Sequence, residues 1–478
     1  MEVRADRYRE LSARILQDSP GITAAVTGAA LHFDASRRRS YEGVDAEAWR
    51  RWAEAVKTHS LTHLDACLEE AERNLVLNGV RVHWAETAAD VHAILAEIVA
   101  AHGVRRAVKG KSMLSEELAV NEALGRMGVE VFETDLGEYI LQLLDEPPSH
   151  ILGPAIHRSL EDIRALFQKR FGTPSDATPE ALAAAARAVL REAFLTADLG
   201  ITGANFVVAE TGTVALIENE GNIRLTTSAP RVHVALVGIE KVLPRWDDLA
   251  GFLQLTARAA TGQALGCFVS LIQAPRRRPA RGPRPPQEEP DGPADVHVVF
   301  VDNGRTRVLA DPEAWEVLRC VRCGACLNAC PVYRQTGGHA YGWVYSGPLG
   351  AVLNPGLLGL PQAATLPFAS TLCGACQDVC PVRIPIPKLL LGWRKRSVDA
   401  GLAPAAESRA MKAYAAAATR PAVFRFASLL MRLVPAPLRP RLPFIATWSK
   451  GREPPVPSPR SFLRLWRDES GQRRGGGS

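Results

Sequence analysis

Cys320-Val-Arg-Cys323-Gly-Ala-Cys326-Leu-Asn-Ala-Cys330-Pro331 spaces three cysteines two residues apart and a fourth three residues later, directly before a proline. About fifty residues on, the pattern returns as Cys373-Gly-Ala-Cys376, then Cys380-Pro381, with Cys-Gly-Ala-Cys and Cys-Pro-Val identical in both copies. C-x2-C-x2-C-x3-C-P is the bacterial ferredoxin run for a 4Fe–4S cluster. Closely spaced thiolates wrap one cubane at a turn, while the cysteine before the helix-breaking proline points away and in two-cluster ferredoxins ligates the other cluster. By that rule Cys320, Cys323, Cys326 and Cys380 hold cluster one, and Cys330, Cys373 and Cys376 hold cluster two. The second set is one thiolate short, because Ser370 stands where the first has Cys320. Serinate or water on the fourth iron, a three-iron cluster, and a ligand from elsewhere are all open; the expectation is a labile or missing fourth iron with Ser370 beside it. Zinc also uses paired C-x2-C motifs, but it takes four ligands per site. Seven cysteines with duplicated Cys-Pro endings suit two cubanes better. The radical-enzyme order C-x3-C-x2-C is absent.

The remaining cysteines, Cys67 and Cys267, are isolated and read as packed or merely present. The N-terminus mixes Arg and Glu without an apolar run, so no signal peptide is expected. The uncharged stretch Ala259 to Pro275 is too short and too polar for a membrane span. A cytoplasmic protein is expected, with clustered cysteines serving a metal rather than disulfides. Net charge is +6 over 478 residues; from Lys388 onward 18 Lys or Arg face 5 Asp or Glu, leaving the rest of the chain acidic. A basic tail points to a partner or an anionic membrane surface. Nucleic acid is not expected, since no matching motif accompanies the charge.

Outward from the cysteines, the chain divides into an N-terminal helical segment (1–65), an α/β domain (66–272), a Pro/Arg-rich loop (273–295), a β-hairpin (296–312), the cysteine domain (313–390) and a basic helical tail (391–471). In the first segment Trp49, Trp52, Ala55 and Val56 form part of an apolar face. Val80–Trp84, Arg106–Lys109 and Val129–Glu133 read as strands alternating with helices at Thr87–His102 and Ser115–Met127, which implies a parallel sheet. Thr178 and Pro179 start a helix that Gly200 can end. Phe206–Ala209, Val214–Glu218 and Val232–Leu236 read as strands. Asp302-Asn303-Gly304, between Val296–Val301 and Thr306–Leu309, is a hairpin turn signal. Between the cysteine runs, Tyr341, Trp343 and Tyr345 read as cluster shielding.

Asp198-Leu-Gly-Ile-Thr-Gly-Ala-Asn205-Phe-Val-Val-Ala-Glu210-Thr-Gly-Thr213, Asn219-Glu-Gly-Asn222 and Pro230-Arg-Val-His233 resemble the LUD domain of lactate-utilization proteins. Gly338-His-Ala-Tyr-Gly-Trp343 and Asn354-Pro-Gly are similar to the cysteine domain of the lactate utilization protein B family, a likeness running over about residues 60 to 470. The resemblance implies a sugar-isomerase/CoA-transferase-like α/β LUD domain followed by a helical ferredoxin. It implies an electron-transfer subunit in oxidation of L-lactate to pyruvate, partnered by a cysteine-rich oxidoreductase subunit and a LUD-only subunit. It also implies seven cluster cysteines, so Ser370 does not depart from the family. The alternatives are an oxidoreductase acting directly on another small hydroxy-carboxylate, or an interaction subunit with structural clusters. Lys109-Gly-Lys111-Ser112 lies at a strand end, where open α/β sheets bind ligands. Lys109 and Lys111 with Glu210 and Thr213 form a candidate small-carboxylate site, and Glu133, Asp135, His157, Asn205 and His233 are candidates for lining the same crevice. No G-x-G-x-x-G follows a strand, so neither NAD nor flavin is expected.

Overall fold

A computed structural model describes residues 3–275, 292–433, 458 and 460–475. Among the described residues, ten strands form two sheets. In the larger, β1 (Arg81–Ala85), β2 (Arg106–Lys109), β3 (Glu130–Glu133), β4 (Leu199–Thr202), β7 (Val232–Gly238) and β10 (Asp295–Val301) run in the order β1-β10-β7-β4-β2-β3, all parallel. Its central strands are apolar on both faces. Val234, Leu236, Val299 and Val301 pack on one side, while Ala235, Val237, Val298 and Phe300 pack on the other. Helices covering both faces allow such two-sided burial. The smaller sheet joins β8 (Val242–Leu243), β5 (Phe206–Val208), β6 (Thr213–Glu218) and β9 (Phe268–Ile272) in that order.

Four sequence expectations are corrected. Val296–Val301 is not half of a hairpin: β10 slots between β1 and β7 in the middle of the parallel sheet, and Arg305–Leu309 is helical. Asn303 and Gly304 do take positive φ, 43° and 89°, but that turn leads from a strand into a helix. The helix expected over Ser115–Met127 is two, Met113–Glu117 and Val120–Arg126, broken by Ala119 at φ 50°. Thr178 and Pro179 cap and start Pro179–Thr196, but Gly200 lies inside β4, where a Cβ would collide with the Thr226 carbonyl. Ala55 is exposed, and Ala53 takes its place beside Trp49, Trp52 and Val56 on the apolar face. The Pro/Arg-rich residues 276–291 lie outside the described residues.

The chain forms two compact units, Met1–Ser397 and Val398–Ser478. Within the first, the N-terminal helices and the cysteine segment share one hydrophobic core with the smaller sheet: Tyr8, Val26, Phe206, Phe252, Tyr333 and Leu353 all belong to it. Side chains stitch the segments together. Thr23 and Thr27 donate to the Gln335 and Arg334 carbonyls, and Arg50 donates to those of Gln377 and Cys380. Gly338 lies so close to the α/β domain that a Cβ would strike the Ser149 carbonyl, which accepts the Tyr333 hydroxyl at 2.7 Å. Gly338→Ala is therefore expected to cost about 1–3 kcal/mol, the usual penalty of overpacking. Denaturant midpoints would show it, and an unchanged midpoint would refute the tight junction.

The second unit contains helices Ala405–Ala418, Pro421–Leu433 and Phe462–Gly475. Phe424, Phe426, Leu429 and Leu430 are exposed on the middle one. Among the described residues, no helix is long and apolar enough to cross a membrane.

Candidate iron–sulfur centre and adjoining cavity

The two cysteine motifs repeat in three dimensions. Arg322 and Leu372, one before the second and fifth cysteines, both take left-handed backbone conformations, φ 61° and 58°. Gly324 and Gly374 follow at φ 73° and 87°, and each caps a short helix, Ala325–Ala329 or Ala375–Asp378. At the first turn the Arg322 N–H points to Cys320 Sγ at 3.3 Å; at the equivalent turn the Leu372 N–H points to Ser370 Oγ at 3.1 Å. The serine oxygen thus occupies the structural place of a ligand sulfur. Arg394 donates to the Ser370 carbonyl at 2.8 Å and steadies that position. Tyr333 N–H and Ile384 N–H approach Cys330 Sγ and Cys380 Sγ at 3.5 and 3.4 Å, the donor arrangement that stabilises sulfur-bound negative charge.

Thiols of the two motifs lie close enough to influence one another. Burial pushes the Cys323 and Cys326 thiols well up, and Cys320 and Cys380 push each further the same way. Cys380 is raised to about 11, by burial first, with Cys320 adding to it. In the second motif, Cys376 is raised to about 12 by burial and then by Cys330 and Cys373. Cys326 also senses Cys376, so the motifs are neighbours. Cys320, Cys323, Cys326 and Cys380 together line one small cavity whose other walls include Val321, Leu349, Val382 and Ile384. An all-sulfur donor set, an apolar cage and backbone N–H groups aimed at sulfur fit an iron–sulfur group. Tyr341 and Tyr345 are fully buried and Trp343 nearly so, in the same core as the cysteines.

A larger cavity of about 290 Å³ lies at the carboxyl ends of the parallel strands and reaches the first cysteine turn. Lys111, Asp135 and Asn205 line it, the Lys111 ammonium paired with Asp135 at 2.9 Å and donating to the Leu152 carbonyl at 2.8 Å. Six other candidates are engaged elsewhere. Lys109 is fully buried, paired with Glu116 and Glu133 at 2.8 and 2.9 Å, and so is not free to hold a substrate carboxylate. Burial pulls its ammonium down, but Glu116, Glu133 and Glu138 more than offset that and hold it well above the usual range. Glu210 accepts the Trp246 N–H at 2.7 Å and caps a helix. Thr213 is buried and bonded to Thr211 and Gln273. His157 bonds Glu146 and His233 bonds Thr202; burial lowers both imidazoles to about 4, so they stay neutral near pH 7.

Sequence reasoning missed the cationic end of this cavity. Arg305, 1% exposed, is clamped by Glu117 and Glu240, each at 2.8 Å. Arg322, inside the first C-x2-C, reaches Glu240 at 3.1 Å and stacks over Tyr345. Burial would raise the Glu240 carboxyl, but Arg305 and Arg322 bring it down to about 2. Beside it, Lys241 has no ion pair or hydrogen bond among the described residues. Arg322 offered a signal, a charged residue within a ligand loop; Lys241 offered none.

Buried around Lys109, Glu138 has both carboxylate oxygens without hydrogen-bond partners, and burial, then Glu133, raises it well above the ordinary range. The folded state keeps a proton that the unfolded chain releases above about pH 4.3. Stability therefore falls as pH rises through that window. Glu138→Gln is expected to gain on the wild type from about pH 4.3 upward, by at most about 1.4 kcal/mol per pH unit. Parallel melting curves from pH 5 to 8 would show the gap opening; a constant gap would contradict it.

Fold and cysteine geometry define a LUD-type α/β protein joined to an iron–sulfur domain. A LUD domain model matches residues 68–301, a 4Fe-4S dicluster domain model residues 316–384, and a model described as Lactate utilisation protein B, C-terminal, residues 397–471. Lactate utilization protein B of Bacillus licheniformis is 40% identical over 99% of each chain, and that of Geobacillus kaustophilus 41% identical over 88% of each. An uncharacterized electron transport protein, YkgF, of Escherichia coli is 38% identical over 98% of each chain. The chain belongs to the lactate utilization protein B family.

Proposed function

We propose that the chain is the iron–sulfur electron-transfer subunit of a system oxidising L-lactate to pyruvate, a reaction that releases two electrons and two protons. Cys320, Cys323, Cys326 and Cys380 hold one 4Fe–4S cluster; Cys330, Cys373 and Cys376 hold the second, with Ser370 at its fourth iron. Each cluster, when bound, supplies a one-electron site. The chain's own groups position the sulfurs, exclude water through Leu349, Val382 and Ile384, and aim N–H donors at the ligands. The observation carrying this reading is the small cavity lined by four cysteines drawn from both motifs, Cys320, Cys323, Cys326 and Cys380. A cysteine-rich oxidoreductase subunit and a LUD-only subunit are its partners. The basic tail, with Phe424, Phe426, Leu429 and Leu430 exposed, provides a surface for a partner or for the inner face of the membrane.

The test is L-lactate titration of anaerobically purified protein under EPR, with and without the partner subunits. Reduction of the clusters only in the partners' presence is expected. Reduction by this chain alone would favour the second reading, direct action of the LUD domain on a hydroxy-carboxylate, which the cavity reaching Cys323 supports. No reduction under any reconstitution would overturn both.

A further inference from the structure

The 290 Å³ cavity is built from residues just beyond five of the six strands of the parallel sheet. Lys111 follows β2, Asp135 follows β3, Gly203 follows β4, Glu240 and Lys241 follow β7, and Arg305 follows β10. Ligands of open α/β sheets bind at this edge. The lining mixes apolar side chains such as Leu114, Ile151 and Ile223 with many polar ones, and the carboxylates of Asp135, Glu218 and Glu220 belong to it together with Lys111. Three cations gather at one end, Lys241, Arg305 and Arg322. Two carboxylates answer them: Glu240 takes Arg305 and Arg322, and Glu117 takes Arg305 from behind. Among these lining groups one cation is left without a carboxylate, while behind them the buried Lys57 ammonium donates to the Glu240 carbonyl. That cation is Lys241, with no partner among the described residues, and beside it the buried Nη1 of Arg322 has no hydrogen-bond partner.

We propose that this cavity binds a short-chain monocarboxylate, its carboxylate held between Lys241 and Arg322 Nη1 and the rest of the molecule lying toward Asn205 and Lys111. A single carboxylate gives the unpartnered Lys241 ammonium its counter-charge. A second negative charge would face the cysteine sulfurs next to Arg322, so dianions such as phosphate are disfavoured. Cys323 also lines the cavity, so the ligand abuts the first cluster's ligand turn. The inference deepens the lactate-oxidation reading, from which the probes below are chosen.

The test is equilibrium dialysis of the full-length, anaerobically purified protein with labelled L-lactate and pyruvate, and inorganic phosphate as competitor. Saturable binding of one molecule per chain is expected. Lys241→Gln should weaken it at least about tenfold and Lys241→Arg should restore most of it, because the charge rather than the packing is at stake. Asn205→Asp keeps the acceptor used by the Ile217 N–H and adds a negative charge inside the cavity, so it should weaken binding as well. Iron content and visible absorption should match wild type in all variants, and carboxylate should shift the EPR line shape of the cluster at Cys323. Intact clusters without saturable binding, equal affinity in wild type, Lys241→Gln and Asn205→Asp, or displacement by equimolar phosphate would overturn the site and leave the electron-transfer reading standing. Colourless protein that still binds carboxylate would do the reverse.

Discussion

Cys380→Ala is expected to abolish the same cluster as Cys320→Ala, although the two positions lie in different motifs; Cys330→Ala is expected to abolish the other. Each variant should lose about half of the bound iron while the remaining EPR signal keeps its wild-type line shape, since bacterial-type pairs exchange their fourth ligand. Such crossing matches the cavity that Cys380 lines together with Cys320, Cys323 and Cys326 of the other motif. The opposite pairing, in which Cys380 and Cys376 variants lose one cluster and Cys320 and Cys330 variants the other, would mean that each motif holds its own. Ser370→Ala probes the remaining position. It should leave the first cluster untouched and alter only the second.

Arg305→Met is expected to cost about 3–5 kcal/mol, the penalty for leaving buried carboxylates without their cation. Glu117 and Glu240 are both buried, and Tyr345 donates to Glu117 at 2.6 Å, so the ionic cluster joins the α/β domain to the segment between the cysteine motifs. The damage should therefore not stay local. Guanidinium titration should show a lowered midpoint, and cluster absorbance should be lost together with far-ultraviolet dichroism rather than after it. A loss below about 1 kcal/mol, as for an exposed pair, would show that the cluster does not bind the two segments together.

The seven clustered cysteines and the parallel strands were legible because their signals are local: a fixed ligand spacing and short apolar runs between turns. The repeat of the turn was legible for the same reason: Ser370 Oγ accepts the Leu372 N–H as Cys320 Sγ accepts the Arg322 N–H. The β10 error shows where local reading fails. Asp302-Asn303-Gly304 has hairpin chemistry, but the partners of Val296–Val301 are β1 and β7, the farther more than two hundred residues away in sequence. Pairing at that distance leaves no trace in a turn. The lysines at the strand end were half legible. Their place at the sheet's carboxyl edge could be read, but not that Glu116 and Glu133 would consume Lys109. The Arg305–Glu117–Glu240–Arg322 cluster joins residues from four parts of the sequence, and only folding brings them together.

The most direct test is quantification of iron, acid-labile sulfide and zinc in anaerobically purified protein, combined with EPR of the dithionite-reduced form. About seven or eight irons per chain, with matching sulfide and two interacting paramagnetic signals, is the expected result. Zinc bound to the cysteines, with no labile sulfide, would contradict the account at its root.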